Sequence, residues 1–345
     1  MQLRYPPKPK PGDKVAVLSP SAGLPGLFPD VFELGLRRIR DELGLEPVEF
    51  PTTRTMGASP QARADDIHAA LTDPEITAVM AAIGGDDQIT VLPHLDPDLV
   101  RAHAKPFFGY SDNTNLLVYL WQLGIVGYHG GSVMVHLGRG QLHPYSVESL
   151  RTALFTSGEV EITPPGEHTD ESIDWATPAA LTTAASTYPN EGWRWRNADQ
   201  VVEGVTFGGC LEILDWQLAV RRWLAPFEAY DGAVLLVETS EEMPSPTQVY
   251  RILRNFGEAG FLQRFAAVLV GRPKAWDIRR HTTPEERREY AAAQADAICR
   301  ALDEYHPGVL TVFDVDFGHT DPQLIIPSGG KIRIDGPAQR IWVTY

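Results

Sequence analysis

Short apolar runs alternate with longer, periodically apolar segments through the first third of the chain. The short runs are rich in β-branched residues and predict buried strands, whereas the longer segments repeat apolar residues at helical spacing. The predicted strands are residues 14–19, 46–50, 77–83 and 106–109, and the predicted helices are residues 30–43, 62–71, 89–95 and 113–123. This alternation predicts an α/β fold with a mostly parallel sheet, helices on both faces and functional groups at the carboxyl ends of the strands.

The apolar periodicity weakens at about Gly158 and returns near Gly208 and Gly209. These two glycines are predicted to form a turn that leads into a helix. The helices predicted after this point are residues 211–220, 246–259 and a long one from residue 284, and the strands are residues 233–238, 266–270, 309–312, 324–326, 331–334 and 340–343. Thr283 and Glu286 have the spacing of a capping box at the start of the long helix.

The length of 345 residues suffices for two packed cores. We therefore predict an N-terminal α/β domain over residues 1–160 and a C-terminal α/β domain with mixed short strands over residues 201–345. Residues 161–200 are predicted to be a linker and a substrate loop, because prolines and scattered acids leave them little periodicity.

The net charge and the number of cysteines limit the kinds of molecule that the protein is expected to bind. The formal net charge of -15 argues against binding to a nucleic-acid polymer or an anionic membrane surface. Cys210 and Cys299 are the only cysteines and lie far apart, which suggests neither a disulfide framework nor a zinc knuckle. The first residues lack an apolar signal segment, and no stretch is long and apolar enough to span a membrane. We expect a cytoplasmic protein that acts on a small molecule or peptide.

Ser111 lies where a short apolar strand passes into a helix. A serine in such a turn projects from the carboxyl end of a strand, which is the position of an acyl-transfer nucleophile. Serine is also a favoured N-cap residue, so simple capping is the alternative. Asn113 stands where the G-x-S-x-G motif of ordinary α/β-hydrolases has a small residue, which argues against that class.

Gly84 and Gly85 follow the predicted strand 77–83, at the same sheet edge as Ser111. Glycine lets the backbone approach a ligand closely, and the N–H groups of Gly85 and Asp112 could together bind an oxyanion. The alternative is an ordinary tight turn.

Glu238 ends the apolar strand 233–238, and His319 lies in a turn-rich loop. A carboxylate at a strand end could orient a histidine, although both residues are also common in purely structural roles. Acidic neighbours of His319 raise a metal site as a further alternative, at Asp314, Asp316 and Asp321. Their spacing matches no compact ligand motif, so we expect no metal.

Trp193 and Trp195 are flanked by Arg194 and Arg196 in the predicted substrate loop. Aromatic rings at this spacing could stack on a base or anchor a polar ligand. They could equally be packing residues of a lid.

Taken together in chain order, these motifs resemble the LD-carboxypeptidase family of serine peptidases, and the Trp-bearing insertion resembles its microcin C immunity (MccF-like) branch. The residues that carry the resemblance are Ile83, Gly84 and Gly85, then residues 109–114, Gly208 and Gly209, residues 236–238 and residues 317–320. The resemblance implies a nucleophile on an amidotransferase-like, flavodoxin-like N-terminal domain. It also implies a Ser-Glu-His triad of Ser111, Glu238 and His319, no cofactor and a homodimer.

For the reaction, the resemblance implies that His319 takes the proton of Ser111 while Glu238 holds the imidazole tautomer. Gly84 and Gly209 are expected among the substrate-binding residues. Cys210 stands where the family more often has Asn, so it either alters a substrate contact or fills space.

Two substrate classes follow from the resemblance. The microcin branch cuts the bond that joins an aspartyl peptide to a modified adenylate, with a loop tryptophan, here Trp193 or Trp195, stacked on the base. The alternative is release of D-alanine from murein tetrapeptide. A third hypothesis, from another class, is a protein that binds a peptide or nucleotide without turnover.

Overall fold

The computed structural model describes residues 3–345, and its first sheet is built from strands that alternate with helices. The elements in chain order are β1 (Lys14–Leu18), α1 (Pro29–Leu43), β2 (Glu46–Glu49), α2 (Pro60–Thr72), β3 (Ile76–Ala81), α3 (Pro97–Ala102), β4 (Phe107–Gly109), α4 (Thr114–Gln122), β5 (Gly127–His129) and α5 (Pro144–Phe155). The strands lie in the order β5-β4-β3-β1-β2, and each neighbouring pair is parallel. The predicted mostly parallel sheet is confirmed, and its carboxyl ends meet at one edge.

The second part of the chain forms a larger mixed sheet. Its elements are β6 (Glu159–Ile162), β7 (Glu167–His168), β8 (Tyr188–Pro189), β9 (Arg194–Arg196), β10 (Val201–Cys210), α6 (Leu211–Val220), β11 (Val234–Glu238), α7 (Pro246–Glu258), β12 (Ala267–Gly271), α8 (Pro284–Tyr305), β13 (Leu310–Val315), β14 (Ile326–Ser328), β15 (Lys331–Asp335) and β16 (Arg340–Thr344). The strand order is β6-β16-β15-β10-β11-β12-β13-β9, and β10 to β13 form a parallel centre. The remaining pairs are antiparallel, β7 pairs with β8, and β14 adds to the first sheet beside β5.

Several connections contain short helices. Their bounds are Leu24–Gly26, Gln88–Thr90, Leu92–His94, Ser111–Asn113, Pro178–Leu181, Phe227–Tyr230 and Leu262–Arg264 for the 3-10 helices and Val133–Leu137 for a π-helix. The single helix predicted over residues 89–95 is wrong, because Pro93 cannot donate the backbone hydrogen bond that a continuous helix needs there. Within residues 3–345, none of the helices combines the length and apolar character needed to cross a bilayer.

Gly208 and Gly209 lie inside β10 and do not form the predicted turn. They pair with Leu236 and Val237 of β11, and their φ angles of 121° and 148° differ from those of ordinary strand residues. A Cβ at Gly208 would lie 2.1 Å from the Leu236 carbonyl oxygen. Glycine is therefore required here so that β10 and β11 can approach each other.

The long helix α8 begins as the sequence predicts. The Thr283 hydroxyl accepts a hydrogen bond from the Glu286 N–H at 3.2 Å, and the Glu286 carboxylate accepts one from the Thr283 N–H at 2.7 Å. This reciprocal capping box satisfies two backbone donors at the helix start.

One of the three hydrophobic clusters of the described residues spans both sheets. A continuous cluster of buried side chains includes Val17 and Phe108 of the first sheet together with Leu236 and Leu269 of the second. Because close-packed interiors resist displacement, this shared core fixes the carboxyl ends of β4 and β11 relative to each other. The division into domains at residues 160 and 201 stays a prediction.

Candidate active site

Ser111 follows β4 and adopts a left-handed backbone conformation, with φ of 61°. Such a conformation costs a non-glycine residue on the order of 1–3 kcal/mol and persists only where neighbours enforce it. Asn113 provides that support, because its Nδ2 donates to the carbonyls of Ile83 at 3.1 Å and Tyr110 at 3.0 Å. Its Oδ1 accepts from Gln88 Nε2 at 2.8 Å. The asparagine that departs from the hydrolase motif therefore braces the turn that carries the serine.

Gly84 packs directly against Ser111. A Cβ at residue 84 would lie 2.9 Å from the Ser111 Cβ and 3.0 Å from its Oγ, which is closer than side-chain atoms normally approach. Gly85 follows, and within residues 3–345 neither its N–H nor that of Asp112 donates to a protein acceptor. Two backbone donors near the serine are thus unengaged.

The Asp112 side chain is fully buried and occupied by structural hydrogen bonds. Its Oδ2 accepts from the Ser21 hydroxyl and from the backbone N–H groups of Asp87 at 3.1 Å and Gln88 at 2.9 Å, and its Oδ1 accepts from Asn115 at 2.8 Å. Burial nonetheless raises the pKa of this carboxyl above its ordinary value. The side chain ties the loop after β3 to the start of the helix, and of the backbone groups of Asp112 the N–H is unengaged while the carbonyl accepts from Asn115.

His319 and Glu238 form a buried hydrogen-bonded pair. The His319 Nδ1 lies 2.6 Å from Glu238 Oε2, and Glu238 is the last residue of β11. Gly318, at φ of 97°, makes this approach possible, because a Cβ there would lie 2.5 Å from the same carboxylate oxygen. The loop that carries the histidine is thus shaped to place the imidazole on the glutamate.

A second histidine, which the sequence interpretation missed, faces the other oxygen of Glu238. His129 Nε2 lies 3.6 Å from Glu238 Oε1, and both side chains are inaccessible to solvent. His129 ends β5, which pairs with β4 so that His129 lies opposite Gly109. The only signal in the sequence is a histidine directly after the apolar residues 125–128. The carboxylate therefore lies between an imidazole of the first sheet and one of the second part of the chain.

The charges in this cluster set its protonation. Burial alone would raise the pKa of Glu238, but the neighbouring imidazoles of His319 and His129 lower it to about 2. Burial alone would lower the pKa of His319, but the carboxylates of Glu238, Glu241 and Glu212 raise it above its ordinary value. The outer nitrogen of His319, Nε2, lies 3.2 Å from Glu241 Oε2. The two carboxylates on either side of His319 therefore favour its cationic form.

Ser111 and His319 line the same cavity, which has a volume of about 620 Å³. Gly84, Gly85 and Tyr110 form the wall beside the serine. No hydrogen bond joins Ser111 to His319 within the described residues. Such contacts are often long in unliganded enzymes and tighten when substrate binds.

Trp193 and Trp195, the predicted ligand contacts, do not line this cavity. The Trp193 Nε1 donates to Asp316 at 2.8 Å, and Trp195 pairs with Val312 across β9 and β13. The cavity is instead lined by Trp175, whose ring meets Phe28 edge-on with centroids 5.6 Å apart. Trp175 belongs to the predicted substrate loop. It has no basic or aromatic neighbour in the sequence, so no local pattern indicates a ligand-binding role.

Gly209 and Cys210 also lie away from the cavity lining. A Cβ at Gly209 would lie 2.7 Å from the Thr114 hydroxyl, so this glycine lets β10 pack against α4, and its predicted substrate contact stays a prediction. Cys210 is buried, and burial raises the pKa of its thiol well above the ordinary value. Both explanations for Cys210 stay predictions.

The acidic residues considered as metal ligands bind arginines. Asp314 pairs with Arg194 at 2.5 Å, Asp316 with Arg272 at 3.4 Å and Asp321 with Arg139 at 2.9 Å. Across residues 3–345, no group of three or more His, Cys, Asp or Glu side chains is arranged to hold a metal ion.

Comparisons with known proteins agree with this architecture. Residues 15–130 match the family profile of the LD-carboxypeptidase N-terminal domain, and residues 203–334 match that of its C-terminal domain. The microcin C7 self-immunity protein MccF of Escherichia coli is 28% identical over 82% of this chain and 78% of its own. A probable murein peptide carboxypeptidase of Bacillus subtilis is 27% identical over 96% of this chain and 92% of its own.

A solved structure shows that the similarity extends to the three-dimensional fold. The MccF-like protein from Streptococcus pneumoniae, determined in complex with AMP, is 26% identical and covers 97% of this chain and 99% of its own, with a TM-score of 0.83. The similarity therefore extends over both sheets and the cavity between them.

Proposed function

Because the chain belongs to the LD-carboxypeptidase family, we propose that it is a serine hydrolase in which Ser111, His319 and Glu238 act as a catalytic triad. Its proposed substrate is an aminoacyl or small peptidyl nucleotide conjugate. The observation that carries the proposal is the buried His319–Glu238 pair at 2.6 Å, whose histidine lines the same cavity as a serine in a left-handed turn.

The proposed reaction proceeds through an acyl-enzyme. The Ser111 Oγ attacks the carbonyl carbon and passes its proton to His319 Nε2, while Glu238 holds Nδ1 protonated and stabilises the imidazolium. The tetrahedral intermediate then collapses, and His319 gives the proton to the leaving nitrogen. Water, deprotonated by the same histidine, attacks the ester carbonyl and releases the acid with Ser111 restored.

The oxyanion of the intermediate is assigned to the backbone N–H groups of Gly85 and Asp112. Both donors are unengaged within the described residues. Asp112 follows Ser111 in sequence, and Gly85 follows Gly84, which packs against Ser111. A donor of this kind contributes about 3–4 kcal/mol to transition-state stabilisation. The left-handed conformation of Ser111 fits this role, because it turns the chain between β4 and the following N–H groups.

Trp175 and Phe28 support the choice of a nucleotide conjugate. Their edge-to-face pair presents aromatic surface to a cavity of about 620 Å³, which is large enough for a nucleotide and an aminoacyl group. An aromatic face binds any base by stacking. The Streptococcus pneumoniae relative binds AMP, and the Escherichia coli relative is a microcin C7 self-immunity protein. We assign to Trp175 the stacking role that was predicted for Trp193 or Trp195.

Murein peptide hydrolysis is the second candidate. It is favoured by the Bacillus subtilis relative, a probable murein peptide carboxypeptidase that aligns over nearly the whole chain. The two candidates share the same nucleophile and differ in what fills the cavity beside Trp175. All the groups named here come from one chain.

Two substrates separate these candidates. Purified protein is incubated with aspartyl-sulfamoyl adenosine or with L-Ala-D-Glu-meso-diaminopimelate-D-Ala, and the products are followed by liquid chromatography and mass spectrometry. We expect cleavage of the adenosine conjugate and its loss in Ser111→Ala, whose affinity for the uncleaved conjugate by calorimetry stays intact. Release of D-alanine alone would assign the murein reaction. Binding without cleavage of either compound by the unmodified protein would support the non-catalytic alternative.

A further inference from the structure

Lys274 is a buried lysine in the wall of the active-site cavity. It lies in the segment after β12, and only 7% of its surface is exposed. Its Nζ donates to the Asp170 carbonyl at 2.6 Å and to the Ser172 hydroxyl at 3.2 Å. The N–H of the next residue, Ala275, donates to the Asp170 carboxylate at 3.2 Å and fixes the backbone beside the lysine. The ammonium group is therefore held at a defined point of the wall.

The charge of Lys274 has no ion-pair partner among the described residues. Within residues 3–345, no carboxylate oxygen lies within 4.0 Å of its Nζ, and both of its hydrogen-bond acceptors are neutral. An ammonium group has three donors, so one remains for a ligand. A buried charge is costly unless it is paired, and an anionic ligand group would supply the missing partner.

The carboxylates around Lys274 have other partners. Burial lowers the pKa of the lysine, and four carboxylates at longer range oppose this effect. Each of the four lies within 4.0 Å of another basic side chain, in the pairs Asp321 with Arg139, Asp170 with Arg287, Asp277 with Arg279 and Glu241 with His319. The negative charge near Lys274 is thus shared with other cations, and the lysine can still bind an anion in the cavity.

On one side, Lys274 is connected to the catalytic loop. Thr169 and Asp321 exchange backbone hydrogen bonds at 2.7 Å and 2.8 Å, and Asp321 follows His319 by two residues. Asp170, whose carbonyl accepts from Lys274, comes directly after Thr169. The lysine is therefore attached next to the bridge that joins the substrate loop to the proposed catalytic histidine.

On the other side, Lys274 is connected to the proposed stacking residue. Its second acceptor, Ser172, lies three residues before Trp175, and both residues line the cavity. Along these joined segments, His319, Lys274 and Trp175 follow one another in that order. An aminoacyl nucleotide has the matching order, because its phosphoryl group lies between the acyl carbonyl and the base.

We propose that Lys274 binds the phosphoryl group of the nucleotide, so that the cavity selects nucleotides over nucleosides. Lysine commonly binds phosphate as a point charge, and a hydrogen bond between charged groups is stronger than one between neutral groups. This inference rests on the nucleotide-conjugate part of the proposed function and adds the contact that recognises the charged link.

The test compares AMP with adenosine, which differ only in the phosphoryl group, by calorimetry at one ionic strength. We expect the unmodified protein to bind AMP at least about tenfold more tightly, which corresponds to the low end of the contribution of a charged hydrogen bond. Lys274→Met keeps the length of the side chain and removes its charge. It should reduce the preference to within about twofold and leave the affinity for adenosine unchanged, because Trp175 still contacts the base.

Two control variants separate the charge of Lys274 from other effects. Ser172→Ala removes one protein contact of the lysine but keeps its charge, and it should keep the preference for AMP. Arg279→Gln removes another positive charge of the cavity wall, on a side chain that is 90% exposed, and it should also keep the preference. Loss of the preference in Arg279→Gln alone would assign the phosphoryl group to that arginine and overturn the inference.

Equal affinity of the unmodified protein for AMP and adenosine would also overturn the inference, as would a full preference for AMP in Lys274→Met. If Lys274→Met binds neither ligand, Lys274→Arg decides. A retained preference in that variant supports the inference, and adenosine binding without the preference overturns it.

These measurements need no turnover, so they separate the inference from the hydrolase proposal. Cleavage of the adenosine conjugate together with equal binding of AMP and adenosine would leave the hydrolase intact and remove the role of Lys274. A preference for AMP that depends on Lys274, without cleavage of either proposed substrate, would support the phosphoryl site and contradict the hydrolase.

Discussion

The contact between Gly84 and Ser111 makes a single methyl group a direct test of the nucleophile. In Gly84→Ala the new Cβ would lie 2.9 Å from the Ser111 Cβ and 3.0 Å from its Oγ. Carbon atoms prefer separations of about 3.5–4.0 Å, so the serine must move by roughly half an ångström or more. A misplacement of about 1 Å can reduce the rate about 100-fold. We therefore expect kcat to fall by about 10- to 100-fold, which corresponds to about 1.4–2.7 kcal/mol in the activation barrier.

The assay is steady-state hydrolysis of the adenosine conjugate, with the thermal midpoint of unfolding measured on the same samples. Gly166→Ala is the matched control, because a Cβ at Gly166 has no heavy atom within 4 Å. It should leave both kcat and the midpoint unchanged. If Gly84→Ala folds normally and retains the kcat of the unmodified protein, then the Ser111 oxygen is not the attacking group and the proposed mechanism is wrong.

Four further substitutions or conditions test other parts of the structure. Glu238→Gln should lower kcat by about 10⁴-fold in single-turnover hydrolysis, because a neutral amide cannot stabilise the imidazolium; a loss under tenfold would contradict its role. Since neighbouring carboxylates raise the pKa of His319, which must be neutral to act as a base, kcat/KM should rise with pH through an acidic limb above the ordinary imidazole value of about 6.5. A limb at or below that value would contradict the assignment. Trp175→Ala should raise KM for the adenosine conjugate by about 5- to 150-fold, the equivalent of a stacking contribution of about 1–3 kcal/mol, and should leave murein peptide unaffected. Thr283→Ala should lower the free energy of unfolding in urea by about 1 kcal/mol without changing kcat, and an unchanged unfolding curve would mean that the capping box is not stabilising.

Elements with a local signal were predictable from the sequence. The apolar positions of residues 30–43 and the following Gly44 predicted α1, which ends at Leu43 with Gly44 in a left-handed conformation. Thr283 and Glu286 predicted the start of α8 for the same reason, because a capping box involves residues only three apart. In contrast, β5 has three residues and carries no periodic pattern, so it was missed. Its existence depends on pairing with β4, which lies far away in sequence.

The residues of the candidate site also divide into those with a local sequence signal and those that depend on tertiary contacts. Ser111, Glu238 and the glycines at residues 84 and 85 follow predicted strands, so their place at a sheet edge could be expected from the order of elements. His129 and Trp175 enter the site through tertiary packing alone. The prediction of Trp193 or Trp195 as ligand contacts relied on flanking arginines, but in the folded chain the indole N–H of Trp193 is used by Asp316. A ligand-binding role cannot be inferred from side-chain type when the partners come from other parts of the chain.

The two carboxylates at His319 have opposite effects on the proposed reaction. Glu238, on Nδ1, stabilises the imidazolium that forms as Ser111 attacks, and it therefore lowers the barrier. Glu241, whose Oε2 lies 3.2 Å from Nε2 without a hydrogen bond, favours the imidazolium before the attack, so in the free protein it raises the barrier. Only interactions that differ between ground state and transition state change the rate. An interaction that favours the imidazolium only before the attack therefore opposes catalysis, whereas one that strengthens as the imidazolium forms promotes it.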